Sequence, residues 1–303
     1  MEQKDKFGSQ PDHCIDIVTN RMLEEAPVLC AFRDTLLRQP MLHSHQGYEV
    51  YLCIQGAGSF LAGDRVYTLS PGALIIVRPM VLHLSRPDER LAFQRFVLSV
   101  DENYMEALLR QDDQLCSGFG RQLKTEDSFF LPPAASSIAM LQDTLYHLEK
   151  ELLHREPYFE ASVKSLLMKC LVDMARLVRF SHGPVRSEAG LTAKVEQILS
   201  HIAEHYEDPI HMDEVASRYK LSRSYMYRIF KEYTGYAPNQ YLLAFRINKA
   251  KALLLHSELS VIEVAARSGF QDVSHFCHTF KKQTRMTPSA FRSLHSLPAG
   301  RRE

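Results

Sequence analysis

With 303 residues the chain exceeds what one small core accommodates, and about 100–200 residues per domain makes two domains the expectation. Its 36 Lys and Arg balance 36 Asp and Glu, which excludes a uniformly basic nucleic-acid coat, yet positions 191–303 hold 16 basic against 11 acidic residues and the remainder 20 against 25, so phosphate contact belongs to the C-terminal part. The six cysteines are scattered without a C-x-x-C pair or a leader ahead of them, and no apolar run reaches the roughly 18–20 residues of a membrane span, so a reduced, cytoplasmic protein with no membrane partner is expected.

From about position 29 to 100, short β-rich runs at 48–54, 58–61, 66–69, 73–77 and 93–100 are punctuated by Gly56, Gly58, Gly63-Asp64 and Pro71-Gly72. Turns at that spacing favour a small barrel or sandwich. His43, His45, Glu49 and, on a later strand, His83 stand out within it. Alternation places His43 and His45 on one strand face, where imidazole and carboxylate donors could share an ion. Neutral imidazole is equally at home as a hydrogen-bonding group at a pocket mouth. The expectation is a small-molecule pocket bordered by His43, His45, Glu49, Tyr51 and His83, with no cofactor and no metal; were a metal held, His43, His45, Glu49 and His83 would hold it. Tyr48, Phe60 and Arg78 are further pocket candidates by strand location alone.

At position 103 the period becomes helical. Met140, Leu141, Leu145, Leu148 and Leu152 mark one amphipathic helix, and Val163, Leu166, Leu167, Cys170, Leu171 and Met174 another, with a break at 154–158 containing Pro157. These stripes predict a helical connector over 103–180 that forms a homodimer, Leu166 and Leu167 lying in its interface. The run SHGPVRSEAG at 181–190 has no apolar periodicity and reads as a linker. The domain expectation is therefore 1–102, 103–180, 181–190 and 191–303.

Beyond the linker the chain says nearly the same thing twice. MDEVASRYKLSRSYMYRIFKEYTGYAP begins at Met212 and VIEVAARSGFQDVSHFCHTFKKQTRMTP at Val261; Glu214 recurs 49 residues on as Glu263, and Phe230 recurs 50 on as Phe280. The one-residue difference falls in the turn. Each copy is a short apolar helix, a turn, a second helix and a proline at the start of the next helix. A helix over about 238–256 joins the copies, with Leu242, Phe245, Ile247, Ala250, Leu253 and Leu254 facing inward. Two such units in tandem can set two recognition helices into successive major grooves of double-stranded DNA. In the first, Ser222 is the expected N-cap and Met226, Phe230 and Tyr233 the core stripe, leaving Ser224, Tyr227, Arg228 and Lys231 outward with Arg223 beside them. Arg228 suits a bidentate guanine contact; Arg223 and Lys231 suit phosphates. In the second, Asp272 caps, Phe276 and Phe280 pack, and Ser274, His275, His278 and Lys281 face outward, His278 standing where Arg228 stands.

The region from about 192 to 295 resembles the DNA-binding domain of the AraC/XylS family of bacterial transcription regulators, carried by SRSYMYRIFKEYTGYAP, FRINKAKALL, IEVAARSGFQDVSHF and FKKQTRMTPSAFR. Two positions depart from it: the family usually has glycine where Arg285 stands and often arginine where His278 stands. The first puts a non-glycine residue at an expected left-handed helix end. The histidines with YLCIQGAGSF, YTLSPGALIIV and Pro79 are similar to the cupin sensor domain many such regulators carry. The resemblance implies an α+β multidomain protein, an N-terminal cupin barrel with a helical connector and a C-terminal all-α tandem helix-turn-helix domain. It further implies a non-enzymatic, effector-responsive activator that binds promoter DNA and meets RNA polymerase. The competing expectation is a metal-dependent cupin enzyme fused to a DNA-binding module.

Overall fold

The computed structural model describes residues 14–15, 17–34, 42–131, 135–180 and 190–295. Apart from Gly190, the linker read over 181–190 lies outside the described residues. The N-terminal part runs β1 (Cys14–Ile15), α1 (Ile17–Glu25), β2 (Val28–Arg33), β3 (His43–Ser44), β4 (Gly47–Gln55), β5 (Gly58–Ala62), β6 (Arg65–Leu69), β7 (Leu74–Val77), β8 (His83–Pro87) and β9 (Gln94–Asp101). There follow α2 (Glu102–Leu109), α3 (Asp113–Leu115), a π turn (Cys116–Gly120), α4 (Arg121–Thr125), β10 (Ser128–Leu131), α5 (Ala135–His154) and α6 (Phe159–Phe180). The C-terminal part is all helical: α7 (Leu191–His205), α8 (Met212–Arg218), α9 (Arg223–Thr234), α10 (Pro238–His256), α11 (Val261–Arg267), α12 (Val273–Thr284) and α13 (Pro288–His295).

Two five-stranded sheets face each other, in the orders β1-β3-β8-β5-β6 and β10-β7-β4-β9-β2. Strand alternation decides what each residue of β4 sees. Tyr51 and Cys53 point between the sheets, packing with Phe60, Tyr67, Leu69, Ile75 and Val77. Tyr48, Val50 and Leu52 point the other way, into a core shared with the helices. Tyr48 is therefore not a pocket residue, because it has the opposite parity to Glu49 and Tyr51.

The connector is more than helical. β10 pairs antiparallel with β7 along Ser128↔Val77 to Leu131↔Leu74, closing the sheet edge from beyond position 103. Four residues are too few to carry a period that separates strand from helix. The stripes of α5 and α6 pack on the outer face of the β4–β9 sheet, where Leu141, Leu145, Leu148, Val163, Leu167, Cys170 and Leu171 share one core with Val50, Leu52 and Leu98. Leu167 is 0% exposed, so it packs within its own subunit and cannot meet a partner, and Leu166 is half-buried against the same core. The large apolar side chains α5 leaves outward are Met140, Tyr146 and Leu153.

The two helix-turn-helix units repeat at the level of single hydrogen bonds. Four residues separate α8 from α9 and five separate α11 from α12, which places the sequence offset in the turn. Leu221 N donates to Ala216 O (2.9 Å) and Phe270 N to Ala265 O (3.0 Å) in the two turns. Ser222 and Asp272 cap their helices, accepting from Tyr225 N and His275 N. Both recognition helices end left-handed, at Gly235 (φ 82°) and, as the sequence predicts, at Arg285 (φ 64°). Thr234 and Thr284 each bridge the carbonyls on either side of that end.

Helix α10 buries residues on several sides, because it packs against both units and the sheet domain. Ile247, Ala250 and Leu254 pack on the second unit. Tyr241, Leu242, Ala244 and Phe245 pack on the first unit, in a cluster that also contains Leu42, Leu61, Val66, Leu82 and Leu84 of the sheet domain. Hydrogen bonds stitch the same junction: Tyr241 Oη to Gly63 O (2.6 Å), Leu42 N to Tyr236 Oη (2.8 Å), Ser200 Oγ to Asp64 Oδ2 (2.7 Å) and Val66 N to Glu196 Oε1 (3.2 Å).

Candidate functional site

Two groups of side chains carry the chemistry. The first is the outward surface of the paired recognition helices. On α9, Met226, Ile229 and Phe230 are buried, while Arg223, Ser224, Arg228 and Lys231 are exposed. Tyr227 is half-buried, its ring lying under the Arg223 guanidinium (5.5 Å), and Tyr233 is only partly buried at the edge of the core stripe. On α12, Phe276 and Phe280 are buried and Ser274, His275, His278 and Lys281 are exposed. The two helices thus present equivalent polar faces, cationic on α9 and mixed on α12.

The arginines differ in how they are held. Arg223 Nη1 is ion-paired with Asp213 Oδ2 at 2.9 Å, across the turn from α8. Arg228 rests on the Tyr225 ring at 5.0 Å and has no carboxylate partner among the described residues. Its donors are therefore available in the fork geometry that matches a guanine edge.

The second group lies buried between the two sheets. His43 and His83 are cross-strand partners of β3 and β8, and β8 in turn pairs His83 with Ala62 of β5. Glu49 comes from β4 in the facing sheet, and His45 follows β3. The four residues are 6%, 2%, 3% and 1% exposed, in the order His43, His45, Glu49 and His83. One donor atom from each lies within 4.8 Å of the others. His45 Nε2 stands 3.2 Å and His83 Nε2 3.6 Å from the same oxygen, Glu49 Oε2.

The tautomer of His83 follows from its surroundings. Its Nδ1 lies 2.9 Å from the Val81 carbonyl, which can only accept, so Nδ1 carries the proton and Nε2 turns its lone pair toward the carboxylate. That geometry suits a proton shared between the two groups, or a metal ion held by both. A backbone carbonyl behind the distal nitrogen is also how metal-binding imidazoles are oriented. His45 Nδ1 and Glu49 Oε1 are inaccessible to solvent and make no hydrogen bond. Burial alone would push the Glu49 carboxyl up, but the imidazoles of His83 and His45 hold it well below the usual carboxylate range. Three imidazoles and an ionised carboxylate fit a divalent transition metal.

Of the other pocket candidates, Tyr51 and Phe60 adjoin this cluster. Tyr51 shares a hydrogen bond with Ser85 Oγ (2.7 Å), and the Phe60 ring is tilted against Tyr51 (4.9 Å) and stacked on His83 (6.1 Å). Arg78 does not adjoin it. Its guanidinium turns outward to Asp127 Oδ1 and the Lys124 carbonyl, because β10 brings an acidic turn alongside the end of β7. It lines instead a cleft of about 250 Å³ between the two domains, with Met80, Glu102, Asn248, Lys249 and His256.

Sequence reasoning missed Asn248. It is 4% exposed on α10, accepts from Ser44 Oγ through Oδ1 (2.5 Å), and donates from Nδ2 to the Met80 carbonyl (2.5 Å). A signal was present: Tyr241, Phe245 and Asn248 share one helix face at i, i+4 and i+7, and a buried amide requires partners.

Comparison with known proteins agrees with this division. Residues 215–293 match the family model described as a helix-turn-helix domain, and residues 29–171 that of an AraC-like ligand binding domain. The chain is 26% identical over 254 residues to the HTH-type transcriptional activator RhaS of Escherichia coli, covering 82% of this chain and 86% of that protein, and 25% identical over 254 residues to RhaS of Salmonella schwarzengrund, with the same coverage. Among solved structures, the C-terminal domain of the two-component response regulator yesN from Fusobacterium nucleatum is 38% identical over 32% of this chain and 95% of its own (TM-score 0.31). ToxT from Vibrio cholerae O395 is 12% identical over 89% of this chain and 98% of its own (TM-score 0.34). With its ligand-binding and helix-turn-helix parts in this order, the chain belongs to the AraC/XylS family of transcription regulators.

Proposed function

We propose that the protein is a ligand-responsive, sequence-specific DNA-binding transcription regulator that acts as an activator, reading promoter DNA with α9 and α12. The observation that carries this reading is the repeated unit with its caps, core pairs and outward polar faces in register. Arg228 is the principal base reader; Tyr227 and Ser224 line the same groove-facing surface, and Arg223 and Lys231 meet phosphate. On α12, Ser274, His275, His278 and Lys281 make the corresponding contacts, with His278 too short for a bidentate fork. The relatives named activators support activation, which in turn implies contact with RNA polymerase. Dimerisation through the outward face of α5 would let the protein recognise repeated half-sites.

The His43, His45, Glu49 and His83 cluster, bordered by Tyr51, is the effector site in this reading, and the protein is not an enzyme. The test is selection of duplexes from a randomised pool by the full chain. Recovery of a recurring motif, bound with an affinity that falls steeply with salt, is the expected outcome. Recovery of no motif would refute sequence-specific reading. The enzyme reading would be favoured instead by turnover of a small substrate that depends on bound metal and disappears in His83→Ala.

A further inference from the structure

The histidine cluster and the DNA-binding domain are joined by backbone and side-chain contacts that share single residues. Ser44 sits between His43 and His45. Alternation along β3 turns its hydroxyl away from the cluster and toward α10, where it meets Asn248. Met80 N donates to the His45 carbonyl (2.8 Å), and the Met80 carbonyl accepts from Asn248. Asn248 therefore holds both the strand that carries two of the histidines and the loop that leads into His83. Met80 is itself in the left-handed region (φ 61°), a conformation disfavoured for a non-glycine residue and kept where surrounding contacts such as these hold it.

Resting on the reading of the cluster as the effector site, we propose that a divalent transition-metal ion bound by His43, His45, Glu49 and His83 raises affinity for DNA, and that Asn248 is the residue through which α10 senses it. A bound ion fixes the imidazoles on both sides of Ser44 and the backbone of His45, and so fixes both hydrogen-bonding partners of Asn248. The docked arrangement leaves Ser224, Arg228, Lys231, Ser274, His278 and Lys281 exposed, so stabilising it pre-organises the reading surface and does not cover it. Helix α10 sets the spacing of the two recognition helices, which makes its position the quantity an effector has to control. Coupling is reciprocal: whatever factor the metal adds to DNA affinity, DNA adds to metal affinity.

The experiment uses the full chain, Zn²⁺ as the probe and a fluorescent duplex recovered by selection. DNA affinity is measured by anisotropy with Zn²⁺ and with chelator; Zn²⁺ affinity is measured by chelator competition with and without the duplex. The expected result is one Zn²⁺ per chain and at least about fivefold tighter DNA binding when loaded, the lower end of typical coupling, with Zn²⁺ binding tightened by the same factor on DNA. In Asn248→Ala, and independently in Ser44→Ala, Zn²⁺ still binds at one per chain but the two affinities no longer depend on each other. Two variants on opposite sides of the junction guard against loss of folding in one of them. Stoichiometric Zn²⁺ with unchanged or weakened DNA binding, or coupling that survives in both folded variants, overturns the relay and leaves the metal site standing. No Zn²⁺ binding by the wild-type chain overturns the reading of the cluster as a cation site, and the relay with it.

Discussion

Replacing Arg228 by alanine separates base reading from phosphate contact more cleanly than any other change on the recognition helices. Folding should hardly notice it. The guanidinium is exposed and its described contact is with the Tyr225 ring at 5.0 Å; an exposed cation–π pair contributes about 0.5–1 kcal/mol, and alanine returns a few tenths through its helix propensity. DNA binding should suffer far more. Loss of a bidentate guanine contact costs about 1–3 kcal/mol, which is roughly a fivefold to hundredfold rise in Kd. Because Arg228 has no carboxylate partner among the described residues, none of this is offset by releasing such an ion pair. Arg223 is the contrast: its bond to Asp213 must be given up before it can serve a phosphate, so Arg223→Ala should weaken selected and random duplexes alike and more mildly. Anisotropy titrations of both variants on both duplexes at several salt concentrations make the comparison. An equal loss for Arg228→Ala on selected and random DNA, with a salt slope reduced by about one ion, would show that it touches phosphate only.

Other consequences are as specific. Arg285→Gly should raise stability by about 1 kcal/mol, seen as a higher thermal midpoint, since Arg285 occupies the left-handed end that Gly235 fills in the first unit. Phe280→Ala should cost about 3–5 kcal/mol in denaturant unfolding, because its ring is 0% exposed between Phe276 and Phe291; a loss under 1 kcal/mol would contradict that packing. Tyr146→Glu with Leu153→Glu should yield a folded monomer by sedimentation, those side chains being 46% and 71% exposed on α5. In contrast Leu167→Asp should unfold the sheet domain; a soluble folded Leu167→Asp monomer would return the dimer surface to α6.

What the sequence disclosed and what it hid divide along the range of the interaction. The repeats were legible because each is closed by local chemistry: Ser222 and Asp272 caps, the i, i+4 phenylalanine pair, a left-handed end at a fixed offset. The histidine set is legible because strand alternation puts His43 and His45 on one face and the resemblance to cupin barrels adds Glu49 and His83; the pairing of His43 with His83 comes from the structure. Tyr48 was misplaced for want of the register of β4, since one step of parity exchanges the inside of the barrel for the helix-covered face. The place of Leu167 is not legible in the sequence, because an amphipathic stripe states that it is buried, not what buries it. Arg78 depended on β10, an edge strand too short to announce itself. Asn248 depended on the other domain altogether: its partners lie 204 and 168 residues away in sequence.

The boundary between the sheet domain and the helical domain is made of the same material as a core. Leu42, Leu61, Val66, Leu82 and Leu84 on one side and Tyr236, Tyr241 and Leu242 on the other are buried in one shared apolar cluster. Severing the chain between positions 181 and 190 would therefore not yield two independent, well-behaved proteins. Each fragment would carry a freshly uncovered apolar face, and such faces drive self-association or recapture of the missing half. Two fragments made separately and then mixed should find each other, so that partition of this gene at the linker produces a complementing pair.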